Sequence, residues 1–220
     1  MNKALVVLIC IGIGYFIGTI NPSFFIAKLK GFDIRQKGSR NAGASNALIL
    51  FGKVTGVLCA LFDIFKSCLA IELASKIIFP EFDLAFAITG TAAVLGHMFP
   101  FYMKFKGGKG TATLGGMILV MDWRIFLILL ALEIVLVLVT DYLCFMPITA
   151  CVIFPILYGI YSGIWSGAAI ILLTTAAILY KNIDNIKKIL NKTEMHLSYL
   201  WNKNKELERI EENESKAERK

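Results

Sequence analysis

Apolar residues fill most of the first 180 positions in long runs, and polar residues are gathered into short segments between them. The runs fall at about 4–25, 51–79, 84–103, 111–121, 125–140, 148–161 and 164–180. Several approach the ~20 residues a helix needs to cross a hydrocarbon layer about 30 Å thick. The pattern predicts an all-α polytopic membrane protein with about seven transmembrane helices. The fourth and sixth runs are short for a full crossing, so five to seven spans are open at this point. Asn21-Pro22 interrupts the first span near its end, and Gly12, Gly14 and Gly18 give that span a thin face for close packing.

Composition agrees: 57% of residues are hydrophobic and 18% charged, against about 25% charged in a soluble domain. Residues 1–192 form one membrane domain, and 193–220 form a charged cytoplasmic tail. The first span starts close to the N-terminus without a small-residue cleavage site and is read as a signal anchor. The formal net charge of +7 is not a nucleic-acid signature, because the basic residues sit between spans and in the tail. Lys and Arg concentrate in segments 28–40, 104–109 and 181–220. Placing these three on the cytoplasmic side requires an odd number of spans, an external N-terminus and a cytoplasmic C-terminus. A cell membrane is the expected location.

The five cysteines, Cys10, Cys59, Cys68, Cys144 and Cys151, lack zinc-type spacing and read as small buried hydrophobes. No metal site or cofactor is expected. Asp63 and Lys66 lie three apart on one helix face within the second run and are expected to pair. His97 is expected to be a hydrogen-bonded interface residue. The tail after Leu200 is charged all round and is assigned no chemistry.

Two loops and one segment are candidates for chemistry. In Gly38-Ser39-Arg40-Asn41-Ala42-Gly43-Ala44-Ser45-Asn46, small residues let backbone approach a ligand, and Ser39, Asn41, Ser45 and Asn46 add hydrogen-bonding groups. A plain polar loop is the alternative. In Lys104-Phe105-Lys106-Gly107-Gly108-Lys109-Gly110-Thr111, the glycines predict a tight turn with exposed N–H groups, Lys109 supplies a point charge, and Thr111 opens a helix. A charged loop that only orients the protein needs lysines but not three glycines, so phosphate binding is favoured. The third segment, 180–190, carries Ile183, Ile186, Ile189 and Leu190 at helical spacing beside Lys181, Lys187 and Lys188. It reads as a membrane-surface helix.

Together these segments resemble the bacterial acyl-phosphate:glycerol-3-phosphate acyltransferase family. The resemblance runs from about Gly14 to Glu194. It is carried by GYFIGTINPSFFIAKLKGFDIRQKGSRNAGASN, by DIFKS at 63–67, by GHMFPFYMKFKGGKGTATLG at 96–115, and partly by NIDNIKKILNKTE. It implies a seven-span fold with three cytoplasmic motif-bearing segments, in the plasma membrane of a bacterial cell. It implies transfer of a fatty acyl group from acyl phosphate to the 1-hydroxyl of glycerol 3-phosphate, giving lysophosphatidic acid for phospholipid synthesis. By resemblance the catalytic positions are Ser39, Lys109 and Asn185. Substrate-binding candidates are Gly38, Arg40, Asn41, Ser45, Asn46, Lys106, Gly107, Gly108, Gly110, Thr111 and Asn182.

The chain departs from the family pattern on the acceptor side. Arg40 replaces a Gly, Ile49 an Arg, and Asn182 a His, while Lys192 replaces a later Gly. Asp141-Tyr142-Leu143-Cys144 stands where the family has Arg-Tyr-x-Ser. These changes predict weak use of glycerol 3-phosphate unless Arg40 compensates. The alternatives are a non-catalytic relative that binds acyl phosphate or phospholipid, and an acyltransferase with another phosphorylated acceptor.

Overall fold

The computed structural model describes residues 2–194, 196–200, 202, 206, 208–210, 212 and 213. It is all-helical among them. Six helical stretches are long and apolar enough to span a membrane, and α6 (Thr111–Met121), at 11 residues, is a shorter apolar helix. The protein is a multi-pass membrane protein.

The first span is broken where the sequence predicts. α1 (Lys3–Thr19) ends just before Asn21-Pro22, and α2 (Pro22–Leu29) restarts with Pro22 at its first position, where proline costs no hydrogen bond. Asn21 Oδ1 caps the new helix by accepting from Phe24 N at 2.9 Å. Its Nδ2 donates to Ala42 O at 2.7 Å, tying the break to the first loop.

α3 (Ala44–Phe51) leads through Gly52, at φ 91°, into α4 (Lys53–Glu72). A π-helical turn, Leu73–Ile78, ends that span. α5 (Ala85–Met98) is buried along nearly its whole length and forms the centre of the bundle. Its small residues permit this. A Cβ on Gly14 would lie 2.2 Å from Thr89 O, and one on Gly18 2.2 Å from Ala93 O. α1 therefore meets α5 backbone to backbone. Gly12 has nothing within 4 Å, so the thin face is Gly14 and Gly18 without Gly12.

α6 packs on α4 through Gly116, whose added Cβ would sit 2.3 Å from Ile64 O. α7 (Trp123–Thr140) and α8 (Phe145–Ser162) form the outer hairpin, and α9 (Trp165–Leu190) returns against α5. α7 is the most lipid-facing span: Leu129, Glu133 and Val137 are its buried residues. α9 is one continuous helix of 26 residues. Segment 180–190 is thus the last turns of the final span, not a separate surface helix. At 1.5 Å per residue α9 is about 39 Å long, enough to carry its last turns beyond the hydrocarbon.

The turns sort into two ends. The loop between α2 and α3, segment 99–110, the turn between α7 and α8, and the end of α9 share one end. The π-helical turn, Asp122 and Gly163 share the other, where Tyr161 Oη donates to Asp122 at 3.0 Å. The first end holds the candidate site.

Candidate active site

Breaking a span in mid-helix frees backbone carbonyls that water cannot reach. The structure supplies donors for two of them. Lys66 Nζ donates to Ile20 O at 2.7 Å, and Tyr102 Oη donates to Thr19 O at 2.5 Å. Lys66 also donates to Asp63 Oδ1 at 2.6 Å and meets His97 Nδ1 at 2.9 Å. Three polar partners thus surround the ammonium, and His97 Nδ1 also lies 3.3 Å from Asp63 Oδ1. The expected Asp63–Lys66 pair is present, and His97 completes it. Lys66 is 1% exposed, Asp63 2% and His97 3%, so this is a closed structural cluster under the site.

Directly above it runs the second loop. Gly107 N donates to Met98 O at 3.0 Å, and Gly108 N donates to His97 O at 3.2 Å. The prediction that the paired glycines expose their N–H groups is therefore corrected. Both groups are spent on the last carbonyls of α5, which has run out of helical donors. The glycines serve close approach instead. A Cβ on Gly107 would lie 2.2 Å from His97 O, and one on Gly108 2.1 Å from His97 Nε2. Of the loop's three glycines Gly110 has the left-handed backbone, φ 85°, which Lys104 (φ 53°) and Phe105 (φ 59°) also adopt. Gly110 starts α6 without a side-chain cap, so the first N–H groups of that helix, from Thr111 onward, are the ones left for an anion.

Lys109 stands between these glycines. It is partly buried, and its Nζ donates to Asn185 Oδ1 on α9 at 2.6 Å. Asn185 Nδ2 in turn donates to Glu194 Oε1. Burial lowers the Lys109 pKa below the ordinary lysine value, and the Glu194 carboxylate works against that fall. Lys109 and Asn185, two of the three predicted catalytic residues, are thus brought into contact across 76 positions of chain. Lys104 and Lys106 are exposed at the rim.

The first loop joins this end through Arg35, whose Nη1 donates to Met103 O at 2.6 Å while Asp33 pairs with its guanidinium at 2.6 Å. Asn46 is fully buried and shapes the loop from inside. Its Oδ1 accepts from Ser39 N at 2.9 Å, and its Nδ2 donates to Ile34 O at 2.9 Å and Lys37 O at 3.0 Å. Gly38 (φ 61°) and Arg40 (φ 59°) make the left-handed turn that presents Ser39. Gly38, Ser39 and Arg40 are exposed, as is Ser45 in the first turn of α3, and Asn41 is partly buried. Arg40 pays a conformational cost that a glycine there would avoid.

The acceptor-side departures take unexpected places. Asn182 is buried, with Nδ2 donating to Ile178 O at 2.8 Å and Oδ1 unpartnered. Asp141 faces the C-terminal segment. Its Oδ1 accepts from Ser198 N at 3.2 Å, its Oδ2 lies 3.5 Å from His196 Nδ1, and its carbonyl accepts from Leu197 N at 2.8 Å. Ile49 is partly buried. Beside Lys109 and Glu194, burial pushes the Cys144 thiol up to about 11, so it stays protonated at neutral pH. Sequence reasoning missed Glu194 and the segment after it. An acid closing a lysine-rich stretch was the available signal.

The family model described as glycerol-3-phosphate acyltransferase matches residues 8–192. The chain belongs to the glycerol-3-phosphate acyltransferase family. Glycerol-3-phosphate acyltransferase 1 of Oceanobacillus iheyensis is 37% identical over 197 residues, covering 87% of this chain and 95% of that protein. The glycerol-3-phosphate acyltransferase of Bacillus subtilis is 34% identical over 196 residues, covering 86% and 96%. The crystal structure of PlsY (YgiH), an integral membrane glycerol 3-phosphate acyltransferase, in its glycerol 3-phosphate form, superposes with a TM-score of 0.80 at 30% identity. It covers 88% of this chain and 96% of that one. Its lysophosphatidic acid form gives a TM-score of 0.75 at 31% identity. Membership in this acyltransferase family makes the chain an integral membrane enzyme of lipid synthesis, as its resemblance to such acyltransferases implied.

Proposed function

We propose that this enzyme moves a fatty acyl group from acyl phosphate to the 1-hydroxyl of glycerol 3-phosphate at the cytoplasmic face, giving lysophosphatidic acid. The observation that carries the reading is Lys109: a partly buried ammonium, fixed by Asn185 at 2.6 Å, beside the uncapped start of α6. A phosphate there meets a held cation and free helix N–H groups together. Both proposed substrates carry phosphate, and the solved relative named for glycerol 3-phosphate and lysophosphatidic acid forms binds ligands of that chemistry.

The chemistry needs no protein nucleophile, because acyl phosphate is already an activated mixed anhydride. The acceptor hydroxyl oxygen attacks the acyl carbonyl carbon. The carbon–oxygen bond to phosphate breaks, inorganic phosphate leaves, and the hydroxyl proton passes to a phosphate oxygen of the substrates. In this reading the protein contributes positioning and electrostatic stabilisation. Lys109, Asn185 and the start of α6 hold the phosphate end, with Ser39 and Arg40 at the rim for the second anion. Gly107 and Gly108 hold the loop down on α5, and Asn46 holds the first loop in shape. The cytoplasmic orientation rests on the concentration of Lys and Arg at this end, against Lys3, Lys76 and Arg124 at the other.

The non-catalytic alternative finds no support among relatives named as enzymes. An altered acceptor loses one of its motives, since Asp141 is engaged by Ser198 and His196. The test is purified protein with acyl phosphate and labelled glycerol 3-phosphate. Labelled lysophosphatidic acid should form in step with released phosphate, at a turnover within about 1–10³ per second. Phosphate release with no labelled product, or product formed equally well without acyl phosphate, overturns the assignment.

A further inference from the structure

The turn that leaves α9 is held by residues from far down the chain. Beyond Leu190 the backbone passes through Lys192, at φ 59°, and the carbonyls of Lys192 and Glu194 lie outside the helix. One guanidinium takes both. Arg209 Nη1 donates to Lys192 O at 2.5 Å, and Nη2 donates to Glu194 O at 2.6 Å. Glu206, only 5% exposed, clamps the same guanidinium through Nη2 at 2.6 Å and Nε at 3.0 Å. Glu206 Oε1 also accepts from His196 N at 2.9 Å. One ion pair therefore grips the backbone on both sides of residue 195.

This grip acts with the bonds from Thr193 N and Glu194 N to Lys188 O, at 2.8 and 3.2 Å, to set where Glu194 points. Glu194 is 9% exposed, and its carboxylate accepts from Asn185 Nδ2. An amide has a donor end and an acceptor end. With a carboxylate fixed on the nitrogen, the oxygen must turn the other way, and there it receives Lys109 Nζ at 2.6 Å. The order of control runs Arg209, Glu194, Asn185, Lys109. Glu206 and Arg209 lie outside the residues matched by the family model, 8–192.

We infer that Arg209 is a positioning residue for substrate binding: clamped by Glu206, it holds Glu194 on Asn185 and so fixes the Lys109 ammonium. The inference rests on reading Lys109 and Asn185 as substrate contacts. It concerns a residue that never touches substrate, so it is tested by coupling.

Full-length Arg209→Ala, Asn185→Ala and the double variant are compared for KM and kcat with acyl phosphate. Arg209→Ala should raise KM about tenfold, as loss of a well-placed charge-assisted hydrogen bond does, with kcat within about twofold of the parent. In the Asn185→Ala background the same substitution should add nothing, because its route is already cut. Arg209→Lys should restore only part of the affinity, since an ammonium cannot fork onto two carbonyls and a carboxylate. If Asn185→Ala leaves KM unchanged, the site reading itself fails. If Asn185→Ala raises KM but Arg209→Ala does not, or its effect persists undiminished in the double variant, the positioning role is overturned. Should Arg209→Ala fail to accumulate as folded protein, Glu206→Gln loosens the same clamp and enters the same cycle under the same criteria.

Discussion

Lys109 and Lys28 show how little a residue's type says about its work. Lys28 is an exposed cation in the last turn of α2, where a long side chain reaches water at small cost. Lys109 is partly buried and already engaged by Asn185. Lys109→Ala is expected to weaken acyl-phosphate binding by about 1.5–3 kcal/mol, the range for a hydrogen bond to a charged group, and Lys28→Ala by much less. A measured dissociation constant that shifts equally for both removes the site assignment. pH gives a second test. Burial holds the Lys109 pKa below the ordinary lysine value, and phosphate favours the protonated form. Affinity should therefore be full at neutral pH and fall on the alkaline side, beginning lower than an ordinary lysine would allow. Lys109→Arg should move that fall to higher pH, because a guanidinium stays charged. Sequence patterning singled out Lys109 but misread its neighbours. Gly107 and Gly108 looked like a source of free N–H groups, and only the tertiary contact with His97 O and Met98 O shows those groups already used.

At the scale of elements, the bilayer makes spans legible. A crossing helix needs a fixed length of apolar chain, so α6 could be read at its observed bounds and the break at Asn21-Pro22 at its observed place. What could not be read is which glycines touch. Gly12, Gly14 and Gly18 share a motif, yet only the last two meet α5. Gly14→Ala or Gly18→Ala should lower stability by about 1–3 kcal/mol through overpacking, seen as a lower thermal unfolding midpoint in detergent. Gly12→Ala should be neutral or slightly stabilising, since alanine is the better helix former. A matching drop for all three would mean the α1–α5 contact is looser than it stands here. The end of α9 was misjudged for a related reason. Segment 180–190 has the apolar spacing of a surface helix, and nothing local shows that it continues a span by one more stretch of unbroken helix.

The whole molecule joins three distant segments and a returning tail at one end. The resemblance to a known family grouped Ser39, Lys109 and Asn185 as catalytic positions, and of these the structure brings Lys109 and Asn185 into contact. The tail had no such guide. Its sequence lacks apolar periodicity, and it is held by a few polar contacts, from Asp141 to Ser198 and from Arg209 to the carbonyls after α9. Point contacts of this kind leave no pattern along a chain. The buried cluster beneath the site has a different consequence, one that concerns how the protein is made. Asp63 and Lys66 both belong to α4, near its middle, whereas His97 arrives 31 residues after Lys66. An Asp or a Lys alone at the centre of a span costs roughly 2.5–3.5 kcal/mol during insertion. Because the two partners are a single helical turn apart, this span can enter the lipid already neutralised, before any other helix exists to receive it. Asp63→Ala or Lys66→Ala alone should then reduce insertion of the isolated α4 segment, scored by glycosylation of flanking sites in microsomes, even though each removes a charge. The double substitution should insert better than either. If each single variant inserts as well as the double, the pair plays no part in the helix's passage from the ribosome into the membrane.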